Sequence, residues 1–239
     1  MQVHKTVIKH ALSSLGYEIR STQNVGRDPF RDMSHFVTSS SPVLFDVGAN
    51  IGQTVKKLRQ HFKRSTIHAF EPSVSTFQTL RERTLGITGL HLVNIGLGSR
   101  PEIKTFIENQ RSDMSSFLDP GRDCWGSVKQ RVSFELDTID EYCGRVGVDR
   151  IDVLKSDTQG FELEVLRGAS RMFQRKRIRL IYLEMIFSAI YLGLPGIDEI
   201  FKFLFDRGFR VVSFYDMHYQ NRQLAWTDVL LVDPAYSAD

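Results

Sequence analysis

The stretch Asp46-Val47-Gly48-Ala49-Asn50-Ile51-Gly52 indicates the fold of this chain more strongly than any other segment. It follows the apolar run Pro42-Val43-Leu44-Phe45, which predicts a buried strand, and it precedes a helical pattern over residues 53–62. A strand, a glycine-rich turn and a helix form the unit with which α/β proteins hold a nucleotide-like cofactor at the carboxyl edge of a parallel sheet. The stretch therefore predicts an α/β protein with a cofactor site.

The glycine spacing narrows the choice of cofactor. A dinucleotide-binding turn has the pattern G-x-G-x-x-G, whereas here Gly48 and Gly52 stand four residues apart without a G-x-G. One βα unit later Glu71 ends a second predicted strand, where a carboxylate can accept both hydroxyls of a ribose. The glycines alone could serve only a tight turn, but together with this acid they predict S-adenosylmethionine. The residues of these two motifs predicted to bind it are Asp46, Gly48, Asn50, Gly52 and Glu71.

Composition is typical of a soluble globular protein. The 239 residues suit one α/β domain with short additions, and 41% are hydrophobic while 25% are charged. The formal net charge of +3 does not imply nucleic acid. The densest basic cluster, residues 171–179, favours a solvated loop, with an anionic substrate or a membrane surface as the alternative.

The remaining bulk features predict a cytoplasmic location. Cys124 and Cys143 give neither a disulfide framework nor a metal spacing, so reduced thiols are expected. No apolar segment typical of a signal peptide follows the first residues. The most apolar stretch, residues 178–190, contains Arg179 and Glu184 and is too short to span a bilayer.

Strand and helix patterns alternate along most of the chain, which predicts βαβ crossovers and a parallel sheet. Residues 1–41 are expected to form an N-terminal helical extension, with a helix over 3–15, a polar connector and a short helix near 32–37; residues 42–239 form the main domain. The predicted strands are 42–46, 66–71, 90–94, 151–156, 178–184, 209–214 and 228–232. The predicted helices are 51–61, 73–84, 137–145, 160–174 and 196–207.

Two segments depart from this alternation. Residues 101–136 lack a good helix and contain two stretches, 102–107 and 131–136, that predict an inserted pair of strands. Residues 215–227 are interpreted as a long aromatic connection in which Asp216, Asn221 and Gln223 are turn or loop residues. The short apolar run 229–232 after it is typical of an antiparallel return strand.

Two acids follow the fourth and fifth predicted core strands. Asp157 could simply cap the helix that follows it, but its strand ends at the same edge of the sheet as Gly48 and Glu71. Glu184 ends the neighbouring strand, so both carboxylates are expected to line one crevice. Such a pair suits general-base work on a hydroxyl, because shared charge raises one pKa toward working pH. Asp157 and Glu184 are therefore candidate catalytic residues.

Several other candidate site residues also have a purely structural explanation. Asn94 closes the third strand and suits the adenine end of the cofactor, although it could be a turn residue. Residues 114–116 could border the pocket. His68, inside a strand, is interpreted as a packed core histidine. His218, in the aromatic segment near Trp226, is a candidate for catalysis or for stacking on a sugar or flat acceptor, and the alternative is that these aromatic residues only pack the segment down. No motif predicts a metal site, although Asp157 with Glu184 could hold a magnesium ion.

At these motifs the chain resembles the FkbM-type family of class I S-adenosylmethionine-dependent methyltransferases. The matching segments are 45–52, 69–72 and 154–169, with Asp28-Pro29-Phe30 and Asp32 similar to the family's lead-in; the resemblance covers about residues 27 to 232. Thr158-Gln159 departs from the family pattern, which usually has a hydrophobic residue and Glu before the glycine. Asp157 is the acid carried over by the resemblance, and it joins Asn94 among the expected cofactor-site residues.

The resemblance implies a Rossmann-like, mostly parallel sheet of seven strands in the order 3-2-1-4-5-7-6, with strand 7 antiparallel and helices on both faces. It implies O-methylation of a hydroxyl on a sugar, a glycolipid or a polyketide-like natural product. The expected partner is thus a small-molecule hydroxyl acceptor, with no nucleic acid and no membrane-spanning segment. The identity of the acceptor and the oligomeric state cannot be read from the sequence.

Three alternatives stay open at this point. An NAD-dependent oxidoreductase would use a similar sheet, but the G-x-G-x-x-G pattern is missing. A non-catalytic binding protein could keep the fold, and Thr158-Gln159 leaves that possibility open. A nucleic-acid methyltransferase is disfavoured because no N-P-P-Y-type run follows the fourth strand and a net charge of +3 is weak for phosphate binding.

Overall fold

Strands and helices alternate along the computed structural model, which describes residues 12–17 and 24–235. The strands are β1 Val43–Val47, β2 Thr66–Phe70, β3 Leu90–Val93, β4 Gly96–Leu97, β5 Glu102–Asn109, β6 Val128–Asp137, β7 Ile151–Ser156, β8 Ile178–Ile186, β9 Arg210–Gln220 and β10 Gln223–Val232. The helices are α1 Pro29–Phe36, α2 Gln53–His61, α3 Val74–Arg83, α4 Ile139–Val146, α5 Glu162–Arg167, α6 Ser170–Gln174 and α7 Ile197–Phe205, with a 3₁₀ turn at Ser112–Met114.

The main sheet has seven strands in the order β3-β2-β1-β7-β8-β10-β9. The pairs from β3 to β8 are parallel, and β10 runs antiparallel to both β8 and β9. The prediction of an α/β fold with a seven-stranded, mostly parallel sheet is confirmed. Each helix expected within residues 42–239 is present, although the one expected over 160–174 is divided into α5 and α6.

Apolar side chains cover both faces of the sheet because successive strand residues point to opposite sides. On β1, Leu44 packs into one buried cluster with residues of α1, α2 and α3, while Phe45 packs into another with residues of α4 to α7. Both side chains are fully buried. The strands read as continuous apolar runs for this reason, and helices therefore lie on both faces.

The segment before β1 is only partly described. Helix α1 begins after Asp28, whose carboxylate accepts from the backbone N–H groups of Phe30 and Arg31 at 3.0 and 3.2 Å and so caps the helix. It starts three residues before the short helix expected near residues 32–37. The helix expected over 3–15 lies mostly outside the described residues, of which 12–14 are helical.

The insertion between β3 and β7 forms a second, three-stranded sheet in the order β4-β6-β5. The expected strand pair is present as β5 and β6, which run antiparallel and are longer than expected. The short strand β4 completes the sheet by pairing parallel with the end of β6, Gly96 opposite Leu136. The first and the last strand of the insertion, β4 and β6, are therefore neighbours.

The interpretation of residues 215–227 as a long connection is wrong. Strands β9 and β10 continue through this segment as a hairpin, with Gln220 paired to Gln223 across the two-residue turn Asn221-Arg222. Both turn residues have positive φ, 51° and 63°, as a type I′ hairpin turn requires. Asp216, also at positive φ, lies where β9 carries one extra residue relative to β10. Polar and aromatic side chains in the hairpin concealed the strand pattern.

In the described part of the chain, no helix combines the length and the apolar character needed to cross a membrane.

Candidate functional site

The carboxyl ends of five parallel strands stand in one row. Cα pairing places Val93, Phe70, Val47, Ser156 and Leu183 opposite one another across β3, β2, β1, β7 and β8. The next residues therefore lie at the same level; in sheet order they are Asn94, Glu71, Gly48, Asp157 and Glu184. The first four follow the last residue of their strand, whereas β8 continues to Ile186, so Glu184 lies within its strand and does not end it as expected. The register of the sheet thus brings together five residues that lie far apart in the sequence.

A cavity opens above this row. The strand ends and the start of α2 supply polar lining, the segment between β5 and β6 supplies both polar and apolar residues, and the small sheet and the residues around the end of β8 supply apolar lining. The lining includes Gly48, Asn50, Gln53, Glu71, Pro72, Ile95, Phe106, Ser112, Asp113, Met114, Ser115, Phe117, Trp125, Asp157, Gln159, Glu184, Ile186, Ile190 and Trp226. Met114 and Ser115 border it as expected.

The glycine-rich turn is packed against the neighbouring strand ends. The N–H groups of Gly48 and Ala49 donate to the carbonyl oxygen of Phe70 at 3.1 and 2.9 Å. Gly48 has φ +72°, and a Cβ at this position would lie 1.9 Å from the carbonyl oxygen of Asp157. Only glycine fits this close approach between the ends of β1 and β7.

Gly52 starts helix α2 rather than lining the cavity. It is the N-cap residue at φ +87° and supplies no side-chain cap. The first N–H groups of α2 therefore remain available to a ligand's carboxylate at the positive end of the helix dipole. Gln53, which was not among the predicted site residues, follows it and lines the cavity.

Glu71 joins the turn to the end of β2. One carboxylate oxygen accepts from the N–H of Asn50 at 3.0 Å and the other from the N–H of Ser73 at 3.0 Å. Burial raises the pKa of Glu71 to about 7, although both bonds oppose this. A carboxylate offers about four lone-pair sites, so Glu71 retains capacity for two ligand hydroxyls.

Asp46 lies beneath the turn, fully buried, and does not line the cavity. Its carboxylate stands 2.9 Å from the ammonium of Lys155 on β7, which also donates to the carbonyl oxygen of Gly48 at 2.9 Å. Burial lowers the pKa of Lys155, but the charges of Asp46 and Asp157 outweigh this and raise it. The charged pair therefore braces the turn from below.

Asp157 is not a helix cap. Helix α5 begins at Glu162 after Phe161 as the N-cap, and the carboxylate of Glu162 accepts from the N–H of Thr158 at 2.7 Å. The Asp157 carboxylate instead accepts from the side-chain amide of Gln159 at 2.9 Å and lies 3.7 Å from Lys155. Its side chain is 40% exposed toward the cavity.

Glu184 lies beside Asp157 across β7 and β8. Its carboxylate accepts from the same Gln159 nitrogen, at 2.7 Å. Burial raises the pKa of Glu184 well above its usual value, and the charges of Asp157, Glu162 and Asp228 add to the shift. The structure therefore brings the two expected carboxylates together and places an amide donor between them.

Two other predicted residues have structural contacts. The side-chain amide of Asn94 donates to the carbonyl oxygens of Glu71 and Pro72 at 2.8 and 3.0 Å, so it fixes the strand end beside the cavity, which Ile95 lines. His68 is a buried core residue that lies 2.8 Å from the hydroxyl of Tyr142. Burial and the neighbouring His91 lower its pKa to about 4.

Aromatic side chains form the wall of the cavity near Glu184. The rings of Trp125 and Trp226 lie 5.1 Å apart, and Ile186 and Ile190 complete the apolar surface. His218 is exposed and does not line the cavity; its ring stacks on Trp226 at 4.6 Å with an interplanar angle of 11°. His218 therefore does not contact the cavity directly but packs against Trp226, which lines it.

Sequence reasoning missed several residues of this site. Lys155 could have been identified from the sequence, because it is the one basic residue of the fully buried strand β7. Gln159 was noted only as a departure from a family pattern, and Trp125 gave no signal beyond its residue type. Within residues 12–17 and 24–235, no three His, Cys, Asp or Glu side chains are grouped so that they could hold a metal ion.

Comparison with known proteins gives the family. The family model described as the methyltransferase FkbM domain matches residues 46–211. The 2-O-methyltransferase NoeI of Sinorhizobium fredii (strain NBRC 101917 / NGR234) is 23% identical over 81% of this chain and 86% of its own length. Methyltransferase 1 of Beauveria bassiana (strain ARSEF 2860) is 27% identical over 59% of this chain and 60% of its own.

Solved structures share the fold. A methyltransferase FkbM from Methylobacillus flagellatus KT aligns with a TM-score of 0.51 at 19% identity, over 81% of this chain but only 44% of its own. An rRNA methylase from Streptococcus thermophilus aligns with a TM-score of 0.51 at 12% identity, over 90% and 99% of the two chains. Because the family model covers well over half of the sequence, this chain belongs to the family of proteins with a methyltransferase FkbM domain.

Proposed function

We propose that the protein is an S-adenosylmethionine-dependent O-methyltransferase that acts on a hydroxyl of a small sugar-like or polyketide-like molecule. The observation that carries the proposal is the row of strand ends, which sets a glycine turn, a buried acid and a carboxylate pair along one cavity. The proposal has a cofactor half and an acceptor half.

The cofactor half of the proposal rests on how the residues that line the cavity fit S-adenosylmethionine. Glu71 keeps free lone pairs for two ribose hydroxyls, and Pro72, Ile95 and Phe117 beside it offer an apolar slot for a flat base. At the other end, the N–H groups of the turn and of the first turn of α2 suit a carboxylate. Asp46 would act indirectly, through Lys155, by holding the turn in place.

The acceptor half rests on the carboxylate pair and the aromatic wall. Trp125 and Trp226 offer ring faces on which the C–H face of a sugar or a flat ring can lie, while Asp157 and Glu184 offer hydrogen-bond acceptors to a hydroxyl. The name of the S. fredii relative, a 2-O-methyltransferase, supports transfer to oxygen.

When bound, S-adenosylmethionine supplies a sulfonium methyl group, and transfer of that methyl to the acceptor oxygen leaves S-adenosylhomocysteine. The protein contributes alignment and proton removal. Asp157, partly exposed to the cavity, orients the acceptor hydroxyl. Glu184, whose pKa is raised by burial, is the stronger base and takes the hydroxyl proton.

The test is methyl transfer from labelled S-adenosylmethionine to a panel of glycosides and macrolide-like alcohols, with and without EDTA. We expect transfer to oxygen that EDTA does not abolish, because the proposed reaction needs only alignment and a base. Loss of activity in EDTA with recovery in magnesium would contradict metal independence. Transfer only to amines, proteins or nucleic acid would contradict the acceptor class.

Variants separate chemistry from binding. Asp157→Asn is expected to lower turnover about a hundredfold or more, with near-normal cofactor affinity and a melting temperature within a few degrees. Asp28→Asn is the matched control, because it makes the same change at a true N-cap outside this cavity. Normal turnover of Asp157→Asn would remove Asp157 from the chemistry.

A further inference from the structure

The side chain of Gln159 lies between the two carboxylates of the site. Its amide nitrogen is 2.9 Å from Oδ1 of Asp157 and 2.7 Å from Oε2 of Glu184. A carboxamide nitrogen carries two hydrogens, so it can donate one to each carboxylate. One neutral side chain thus links two acids, one directly after β7 and one on the adjacent strand β8.

The opposite end of the same amide is also held. Oε1 of Gln159 accepts from the hydroxyl of Tyr191 at 2.8 Å, and burial together with the charge of Glu184 raises the pKa of Tyr191, which keeps the hydroxyl a donor. Carboxylates only accept and this hydroxyl donates, so the chemistry of the partners fixes which amide atom faces which.

The backbone of Gln159 is fixed as well. Its carbonyl oxygen accepts from Oγ of Ser116 at 2.7 Å, and its φ is +56°, in the left-handed region. A non-glycine residue in this region is uncommon and persists where the surroundings determine it. The side chain is therefore aimed by its backbone and clamped at both ends.

The charges around the pair make such a donor valuable. Glu162 from α5, Asp228 from β10 and Asp216 from β9 add negative charge, and Lys155 from β7 supplies positive charge near Asp157. Two adjacent carboxylates repel each other, and hydrogen bonds to the charged form favour ionisation. An amide between them offsets this repulsion without adding charge.

We propose that Gln159 is a positioning residue, which holds the carboxylates of Asp157 and Glu184 at a fixed separation through one hydrogen bond to each, so that both face the same acceptor hydroxyl. This rests on the proposed function for its catalytic consequence. A merely structural Gln159 would affect stability without changing how activity depends on pH.

The first variant is Gln159→Met, which keeps an unbranched side chain of similar length on the same backbone but has no N–H donor. We expect turnover to fall about a hundredfold, since small displacements of catalytic groups have such effects. The acid limb of kcat/KM should move up by about one pH unit, because the ionised carboxylates lose their donor. The cofactor affinity should stay within about threefold.

The second variant, Gln159→Glu, should change the profile in the opposite sense. The introduced carboxyl group can still donate to one neighbouring carboxylate while it is protonated, whereas its ionised form places three like charges together. Activity should therefore fall as the pH rises through neutrality. The control is Gln130→Met, which removes an equivalent amide bond, 2.6 Å long, to Glu108 outside the cavity and should leave the profile unchanged.

A readout without turnover keeps the two proposals distinguishable. Titration of the carboxyl carbons by ¹³C NMR, with the Glu184 signal assigned through Glu184→Gln, should show a higher pKa for Glu184 in Gln159→Met than in the wild type. An unchanged pKa and an unchanged pH profile in folded Gln159→Met would overturn the positioning role. A wild-type protein that transfers no methyl group, with this pKa shift present, would overturn the proposed function alone.

Discussion

Replacing Gly48 with alanine tests the close approach of β1 and β7 at the site. The new Cβ would lie 1.9 Å from the carbonyl oxygen and 2.9 Å from the carbonyl carbon of Asp157, both backbone atoms that cannot rotate away. Positive φ costs a non-glycine residue about 1–2 kcal/mol, and forcing extra volume into a packed site costs about 1–3 kcal/mol. The sum is about 2–5 kcal/mol.

Gly147 provides a matched control. It has the same φ of +72°, at the end of α4, but a Cβ there would meet nothing within 4 Å. Gly147→Ala should therefore show only the conformational cost. For a protein of this size about 1 kcal/mol lowers the melting temperature by about 2–4 °C, so we expect a loss of about 2–8 °C for Gly147→Ala and about 4–20 °C for Gly48→Ala.

Calorimetric titration with S-adenosylmethionine completes the comparison. The affinity of Gly48→Ala should fall at least about tenfold, because the turn that we propose to hold the cofactor is displaced, whereas that of Gly147→Ala should not change. Equal thermal losses in the two variants, with equal cofactor affinity, would refute the argument that the contact with Asp157 demands glycine.

Three further outcomes are expected. Because the Glu71 pKa is raised to about 7, its carboxylate should gain a proton as the pH falls through 7, and cofactor affinity in the wild type should therefore weaken below pH 7. Glu71→Gln should bind the cofactor about 10- to 150-fold more weakly, without this pH dependence. Calorimetry between about pH 6 and 8 can show both effects. Lys155→Met should lower the free energy of unfolding, measured by urea denaturation, by about 3–5 kcal/mol, because Asp46 stays buried without its counter-ion. Lys202→Met, which breaks an exposed ion pair of the same 2.9 Å length, should lower it by less than about 1 kcal/mol. Similar losses in the two variants would contradict this. Since His218 faces Trp226, His218→Ala should raise the acceptor KM and keep kcat within about threefold; a fall in kcat of about a hundredfold would restore His218 as a catalytic residue.

The sequence predicted those residues of the candidate site that lie at or near the carboxyl ends of strands. Gly48, Glu71, Asp157 and Glu184 each follow an apolar run, and the carboxyl ends of parallel strands meet at one edge. These four residues could therefore be assigned to one site from the sequence alone. The structure adds the register that sets them at one level.

Side-chain partners could not be predicted in the same way. The role of Gln159 depends on its left-handed backbone, and the pairing of Lys155 with Asp46 depends on the level at which two strands align. The hairpin was missed because its turn is Asn221-Arg222, whereas the usual sequence signal for a turn with two positive φ values ends in glycine.

The small sheet has a consequence for how this family can diversify. Its first and last strands lie side by side, Gly96 opposite Leu136, so the chain leaves the main sheet and returns at nearly one point. Between those points it supplies Met114, Phe117 and Trp125 to the cavity wall. A change of length or sequence between β4 and the end of β6 would therefore reshape the cavity wall, while the row of strand ends beneath it would keep its register.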